Sequence, residues 1–192
     1  MEPNTDQPNI EAILNGDSRE FAKIVDAYKN LVFTVALRMV KNAEEAEEVA
    51  QDTFVKVYRS LAKFKGDSKF STWIYRIAYN TCLDRIKKHK KETHHIAIDE
   101  IEGFEIKHMD NALHHLIDKE KSKLVKKCVE RLAPKDAALI TFFYFEDKNL
   151  AELALVMDLT ENNVKVALFR ARKRLAKVLK EQLNSETIYN YE

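Results

Sequence analysis

The amino-acid sequence predicts an all-α protein made of two small helical domains that a flexible acidic linker joins. Only three glycines and three prolines interrupt the 192 residues, so residues that break helices are scarce. Apolar residues make up 45% of the chain, which is enough to build packed cores. In several segments they recur three and four positions apart, which is the spacing of an amphipathic helix.

The predicted N-terminal domain, residues 1–91, contains three helices after a short tail at 1–10. The helices follow an apolar stripe from Phe21 to Met39, then residues 43–62, then a segment that Ser71 or a neighbour caps and that runs to about 90. Lys41-Asn42 separates the first two helices, and the glycine-containing segment 63–69 is predicted to be a loop.

Residues 92–120 are predicted to be the linker, because they lack helical periodicity and hold eight acids against two lysines. The C-terminal domain, residues 121–192, resumes the periodicity. Its predicted elements are a helix over 134–146 with Pro134 in the first turn, a short helix after a capping box of Asn149 and Glu152, and a last helix from a Thr160 cap to about 181.

The segment 149–175 has the proportions of a helix-turn-helix. The core that its two helices share is predicted to contain Leu153, Met157, Leu159, Val164 and Leu168. Between 162 and 180 there are seven lysines and arginines and no acid.

Two explanations fit a basic helix of this kind. Cations late in a helix complement its dipole, but this effect does not explain a run that begins at Lys165 or an exposed Phe169. A DNA major groove explains both, since cations meet phosphates and guanines there while apolar side chains meet thymine methyls.

The third predicted helix combines aromatic rings with cations. Trp73, Tyr75 and Tyr79 lie along it with Arg76 beside them, and five lysines and arginines occur between 85 and 91. Such rings can stack on single-stranded bases while the cations hold the backbone. A tryptophan is also a common core residue, so both roles stay open for Trp73.

The second predicted helix is acidic at its start, with acids at Glu44, Glu45, Glu47, Glu48 and Asp52. Acids there suit the helix dipole. Because an acidic surface beside a DNA-binding helix would repel DNA, we also expect this surface to dock a protein.

Three segments together resemble regions 2 and 4 of the extracytoplasmic-function (ECF) sigma factors, group 4 of the sigma-70 family. They are EEAEEVAQDTFVKVYRSL, FKGDSKFSTWIYRIAYNTCLDRIK and LAPKDAALITFFYFEDKNLAELALVMDLTENNVKVALFRARKRL. The resemblance covers about 20–91 and 120–181. It implies a sigma factor without enzymatic activity or cofactor, which directs core RNA polymerase to promoters by recognising −35 and −10 elements and opening the −10 strands.

The resemblance implies a role for each of three sets of residues. The surface that docks on the clamp helices of the largest catalytic polymerase subunit contains Glu48, Gln51, Asp52 and Phe54. The residues that bind and melt the −10 element are Lys63, Lys65, Asp67, Ser68, Phe70, Trp73, Tyr75, Arg76, Tyr79, Asn80, Arg85, Lys87 and Lys88. The residues that read the −35 element are Asn163, Lys165, Val166, Phe169, Arg170, Arg172 and Lys173.

The chain differs from the family's usual residues at three positions of the helix-turn-helix. Asn163 stands where the family often has Ser or Thr, Ala167 where it commonly has Arg, and Asp158 where the turn often has Gly. The −35 sequence that this chain prefers is therefore not expected to match that of its relatives.

The alternative function is that of a stand-alone helix-turn-helix regulator with an N-terminal sensor or dimerisation domain, which would not need the loop, rings and cations of 63–91. The histidines match no metal-ligand spacing, so no metal site is predicted. Cys82 and Cys128 are expected to be reduced core thiols. The sequence shows no signal peptide and no membrane span, which predicts a cytoplasmic protein. The resemblance also implies an anti-sigma factor as a partner.

Overall fold

The computed structural model describes residues 8–92 and 122–189, with the side chains of 8–89 and 123–183. In these residues the α-helices are α1 (Ile10–Leu14), α2 (Ser18–Val40), α3 (Ala43–Ser60), α4 (Phe70–Glu92), α5 (Ser122–Glu130), α6 (Pro134–Ile140), α7 (Leu150–Met157) and α8 (Glu161–Tyr189). A 3-10 turn, Leu61–Lys63, follows α3. Neither described range contains a strand, which confirms the predicted all-α class. The first seven residues of the predicted tail and the predicted linker beyond Glu92 lie outside the described residues.

Several helix ends lie where the sequence predicts them, because local side chains satisfy the free backbone groups. Lys41 adopts a left-handed conformation and ends α2, and the Asn42 side chain accepts a hydrogen bond from the Glu45 N–H at 3.0 Å. Asn149 and Glu152 form the capping box of α7. At α8 the Asn163 N–H donates to the Thr160 hydroxyl at 3.3 Å.

The predicted helix over 134–146 changes type along its length. Helix α6 ends at Ile140, and Thr141–Phe145 forms a π-helical turn. The Thr141 hydroxyl donates to the Ala137 carbonyl at 2.6 Å, and such a bond from a side chain to the preceding turn bends a helix. The wider turn carries consecutive aromatic residues into the core, where Phe142 is fully buried.

Two other local features differ from what the sequence predicts. The short helix α1 was not expected from the sequence. Ser71 does not cap α4, because that helix begins one residue earlier at Phe70. The Ser71 hydroxyl instead accepts a hydrogen bond from Lys148 Nζ at 3.3 Å.

The helices pack in two groups that also contact each other. Helices α2, α3 and α4 pack together, and α5 and α6 join α7 in contacts with α8. Between the groups, α2 packs on α6 and α4 packs on α7. Buried apolar residues of both groups form one cluster. Residues 8–92 are called the N-terminal half below, and 122–189 the C-terminal half; the predicted division into domains stays a prediction.

Candidate nucleic-acid interfaces

The helix-turn-helix positions α8 by burying one of its faces. Val164, Leu168, Ala171 and Leu175 lie in the core with Leu153 and Met157 of α7. Leu159 was predicted to join them, but its side chain is 40% exposed. Asp158 before it is in the left-handed conformation, and the Leu159 N–H donates to the Ala154 carbonyl as α7 ends. This reversal of the chain directs the Leu159 side chain outwards.

The opposite face of α8 presents most of the residues predicted to read the −35 element. Asn163, Lys165, Val166 and Arg170 are exposed. Phe169 is half-buried, and the Lys173 ammonium lies 5.1 Å from the centre of its ring. The resulting surface is cationic and partly apolar, as the sequence predicts.

Arg172 differs from the other residues of this set. Its guanidinium lies over the rings of Phe143 and Tyr144, 5.2 and 5.5 Å from their centres. Nearby, Arg174 donates to the Asp136 carboxylate at 2.7 Å. These contacts direct both arginines towards the protein, and they hold α8 against α6 and the π-helical turn.

The residues predicted to bind and melt the −10 element are divided between the surface and the core. Lys63, Lys65, Asp67, Arg76, Asn80, Lys87 and Lys88 are exposed, and Ser68 and Trp73 are half-buried. Gly66, in the loop that also contains Lys65 and Asp67, has φ +79°, a conformation that favours glycine. Phe70, Tyr75 and Tyr79 are buried. In this arrangement those three rings are not free to stack on a base.

The buried rings have defined partners. Tyr75 stacks on Phe142 of the C-terminal half, with ring centres 5.4 Å apart. Burial, and then the neighbouring Glu146 carboxylate, raise the pKa of Tyr75. Burial also raises the pKa of Tyr79, to about 12. Trp73 packs beside Phe64 and Phe70, so it belongs to the aromatic cluster of its own half.

Polar contacts reinforce the packing of α4 against the C-terminal half. Lys69 Nζ lies 3.0 Å from Glu152 Oε1, and the Thr72 hydroxyl is 3.5 Å from the same oxygen. Arg76 donates to Asp158 Oδ1 at 3.2 Å.

A further polar contact crosses between the halves from α2. The buried Arg38 donates to the Thr141 hydroxyl at 2.7 Å and lies over the Phe145 ring. Burial lowers the pKa of this guanidinium, opposed by the nearby carboxylates of Glu130 and Glu146.

The residues predicted to dock core polymerase lie along α3. Glu48, Gln51 and Asp52 are exposed, and Phe54 is buried in the core. Arg85 of α4 lies 2.7 Å from Glu48 and 3.8 Å from Asp52, and the hydrogen bond to Glu48 raises its pKa. Arg85 was grouped with the −10 residues, but its guanidinium faces the acids of α3.

Other chemical sites have little support in the described ranges. No group of three His, Cys, Asp or Glu side chains there is arranged to hold a metal ion. Cys82 and Cys128 are buried thiols, as predicted, and burial raises the pKa of Cys82 to about 12. Within the same ranges, every helix is too short or too polar to cross a membrane.

The sequence did not indicate the contacts between the halves, although two residues carried a signal. Arg38 interrupts the apolar pattern of α2, and it is buried at the boundary. Asp158 occupies a turn position where the resembling family often has glycine, and its carboxylate pairs with Arg76. Nothing in the sequence indicated that Lys69, Glu152 and Lys148 take part in contacts between the halves.

Two family models match the chain. Sigma-70 region 2 matches residues 24–92, and sigma-70 region 4 matches residues 122–175. The chain is 32% identical over 180 residues to the ECF RNA polymerase sigma factor SigW of Bacillus subtilis, covering 90% of this chain and 95% of SigW. It is 31% identical over 178 residues to the ECF RNA polymerase sigma-E factor of Escherichia coli, covering 89% of this chain and 92% of that protein.

Solved structures share the fold at lower identity. The sigma factor RpoE from Bartonella quintana, in complex with the anti-sigma factor NepR, has a TM-score of 0.63 at 18% identity, over 84% of this chain and 98% of RpoE. CnrH in complex with the cytosolic domain of CnrY has a TM-score of 0.61 at 20% identity, over 90% of this chain and 95% of CnrH.

Proposed function

The chain belongs to the ECF sigma factors of the sigma-70 family, which direct core RNA polymerase to promoters, and from that premise we propose which of its surfaces meets each partner. The observation that carries the proposal is the separation of three surfaces on one chain. They are a cationic face on α8, a loop and basic helix at 63–88, and an acidic face on α3. A stand-alone regulator is not favoured, because the family match covers region 2 as well as region 4.

The exposed face of α8 is the proposed −35 reader. Arg170 and Lys165 are free to meet guanine edges and phosphates, and the half-exposed Val166 can contact a thymine methyl. Arg172 is a weaker candidate than the sequence suggested, since its guanidinium packs on two rings of the protein.

The loop and α4 are the proposed −10 surface. The exposed Lys63, Lys65, Arg76, Lys87 and Lys88 supply cations for the backbone of a separated strand. Tyr75 can reach a base only if Phe142 moves away from it. The proposal therefore requires the two halves to separate before or during promoter opening.

Two protein partners and a cellular location complete the proposed function. Glu48, Gln51 and Asp52 of α3 dock on the clamp helices of core polymerase, while Phe54 supports this helix from the core. An anti-sigma factor is proposed as a further partner, since RpoE and NepR form such a complex. The chain acts in the cytoplasm without enzymatic chemistry or cofactor of its own.

The test of this assignment is run-off transcription with purified core polymerase on promoters from the same genome. Promoter-specific initiation is expected only when the chain is added. Failure on every such promoter would overturn the proposed function.

The −10 surface has a sharper test in the same reconstituted system. Trp73→Ala is expected to reduce permanganate reactivity of the −10 thymines more than it reduces binding to duplex promoter. Trp73→Phe keeps a ring beside Phe64 and Phe70, so it should retain most of the opening. Thermal unfolding of both variants controls for lost packing. Unchanged reactivity in Trp73→Ala would remove this helix from strand opening.

A further inference from the structure

Two carboxylates of the helix-turn-helix contact cations within the proposed −10 segment 63–88, one just before α4 and one on that helix. Glu152 of α7 contacts Lys69 at 3.0 Å, and Asp158 contacts Arg76 at 3.2 Å. Lys69 directly precedes α4, and Arg76 follows the buried Tyr75 along that helix. Their charged groups therefore already contact carboxylates of the C-terminal half.

Glu152 is well placed for this role. Its side chain is only 11% exposed, and its second oxygen accepts from the Asn149 N–H at 3.0 Å. Burial alone raises the pKa of Glu152, but the hydrogen bonds from the Asn149 N–H and Lys69 outweigh it and keep the pKa below its usual value. The group is thus a carboxylate at neutral pH, fixed by its own helix and directed at α4.

Asp158 holds the second position at a conformational cost. Its φ of 56° and ψ of 50° are left-handed, a region in which glycine is less strained than aspartate. Asp158 nevertheless presents a carboxylate to Arg76. A residue that combines backbone strain with a specific contact is a candidate for a functional position.

We infer that Glu152 and Asp158 form an intramolecular ligand for the −10 surface, which competes with single-stranded promoter DNA for Lys69 and Arg76. Carboxylates and phosphates are both anionic oxygen acceptors for lysine and arginine, so one cation cannot serve both fully. The stacking of Tyr75 on Phe142 adds to the closed arrangement. This inference rests on the proposed −10 role of α4 and adds that the free chain restrains it.

Two substitutions remove the charges without disturbing the backbone. Glu152→Gln keeps the capping box, because glutamine also serves at this position. Asp158→Asn keeps the left-handed turn, which asparagine tolerates. Asp147→Asn is the matched control, since Asp147 is exposed, has φ 49° and lies in the same half. Among the side chains described up to residue 89 of α4, none forms a hydrogen bond or ion pair with Asp147.

Two measurements on the full chain follow closure and binding separately. Small-angle scattering gives the radius of gyration of the free protein, and fluorescence anisotropy gives its affinity for a single-stranded −10 oligonucleotide. The double variant is expected to expand and to bind the oligonucleotide about fivefold to tenfold more tightly, the gain that two weakened ion pairs would give. Asp147→Asn should match the wild type in both.

An unchanged radius and affinity in the double variant would overturn the inference, and so would expansion without tighter binding. Failure of the proposed −10 role has a different signature. In that case Arg76→Ala would leave −10 opening by the reconstituted holoenzyme intact. If Arg76→Ala impairs opening while the double variant binds the oligonucleotide like the wild type, only the intramolecular competition is wrong.

Discussion

The two proposed promoter-binding surfaces differ in how accessible they are. The −35 face of α8 is open, with Lys165, Val166 and Arg170 exposed. The −10 face of α4 is partly covered, because Tyr75 stacks on Phe142 and Arg76 pairs with Asp158. Duplex recognition needs only a surface that fits a groove, whereas strand opening needs rings and cations that can bind an unpaired strand. The described arrangement therefore suits duplex recognition and restrains strand opening.

The largest expected effect comes from removing Phe142, the ring that joins the two halves. Phe142→Ala leaves a cavity in the core and exposes Tyr75, so the free energy of unfolding should fall by about 3–5 kcal/mol. Urea unfolding followed by circular dichroism measures the loss. Phe143→Ala, at a half-buried ring in the same turn, is the control and should lose less. Equal losses in the two variants would contradict a special role for Phe142.

The open surface can be tested by truncating its exposed arginine. Arg170→Ala should weaken binding to a −35 duplex by about 1–3 kcal/mol, as expected for an arginine that reads a base. Lys177→Ala, exposed further along α8, is the control and should change binding less. Competition with altered −35 sequences would show relaxed preference at the position that Arg170 reads. An unchanged footprint in Arg170→Ala would contradict the orientation assigned to α8.

The smallest expected effect distinguishes Arg85 from Lys88, two cations of α4 that differ in what they contact. Arg85 faces Glu48 and Asp52, so Arg85→Ala should leave the salt dependence of −10 DNA binding unchanged. Lys88 is exposed on the same helix, and Lys88→Ala should reduce the slope of log affinity against log salt by about one. Titrations of holoenzyme with promoter DNA over a range of salt give both slopes. A reduced slope for Arg85→Ala would return that residue to the DNA surface.

Features with a local cause could be predicted from the sequence. The capping box of Asn149 and Glu152 and the cap at Thr160 depend on residues three positions apart, and the structure contains both. The inward face of α8 follows from helical spacing alone. The composition also predicts the all-α class, because glycine and proline, the residues that break helices, are few throughout the chain.

Features that depend on distant partners could not be predicted. Thr72 and Glu152 are 80 positions apart, and no periodicity links them. The burial of Tyr75 and the orientation of Arg172 depend on the aromatic residues of the π-helical turn, which a helical pattern does not distinguish from an α-helix. The exposure of Leu159 follows from the left-handed residue before it. In each case the sequence indicated a suitable residue type but not its neighbour in space.

The left-handed Asp158 also has a consequence for how this protein can evolve. An aspartate codon becomes a glycine codon through one nucleotide change, and glycine relieves the backbone strain at φ 56° while it removes the carboxylate that meets Arg76. One mutation would thus relieve the strained turn and remove one of the contacts between the two halves. A lineage in which another protein inhibits the −10 surface could lose this aspartate without harm. A chain that depends on the contact between Asp158 and Arg76 would be selected to keep the strained turn.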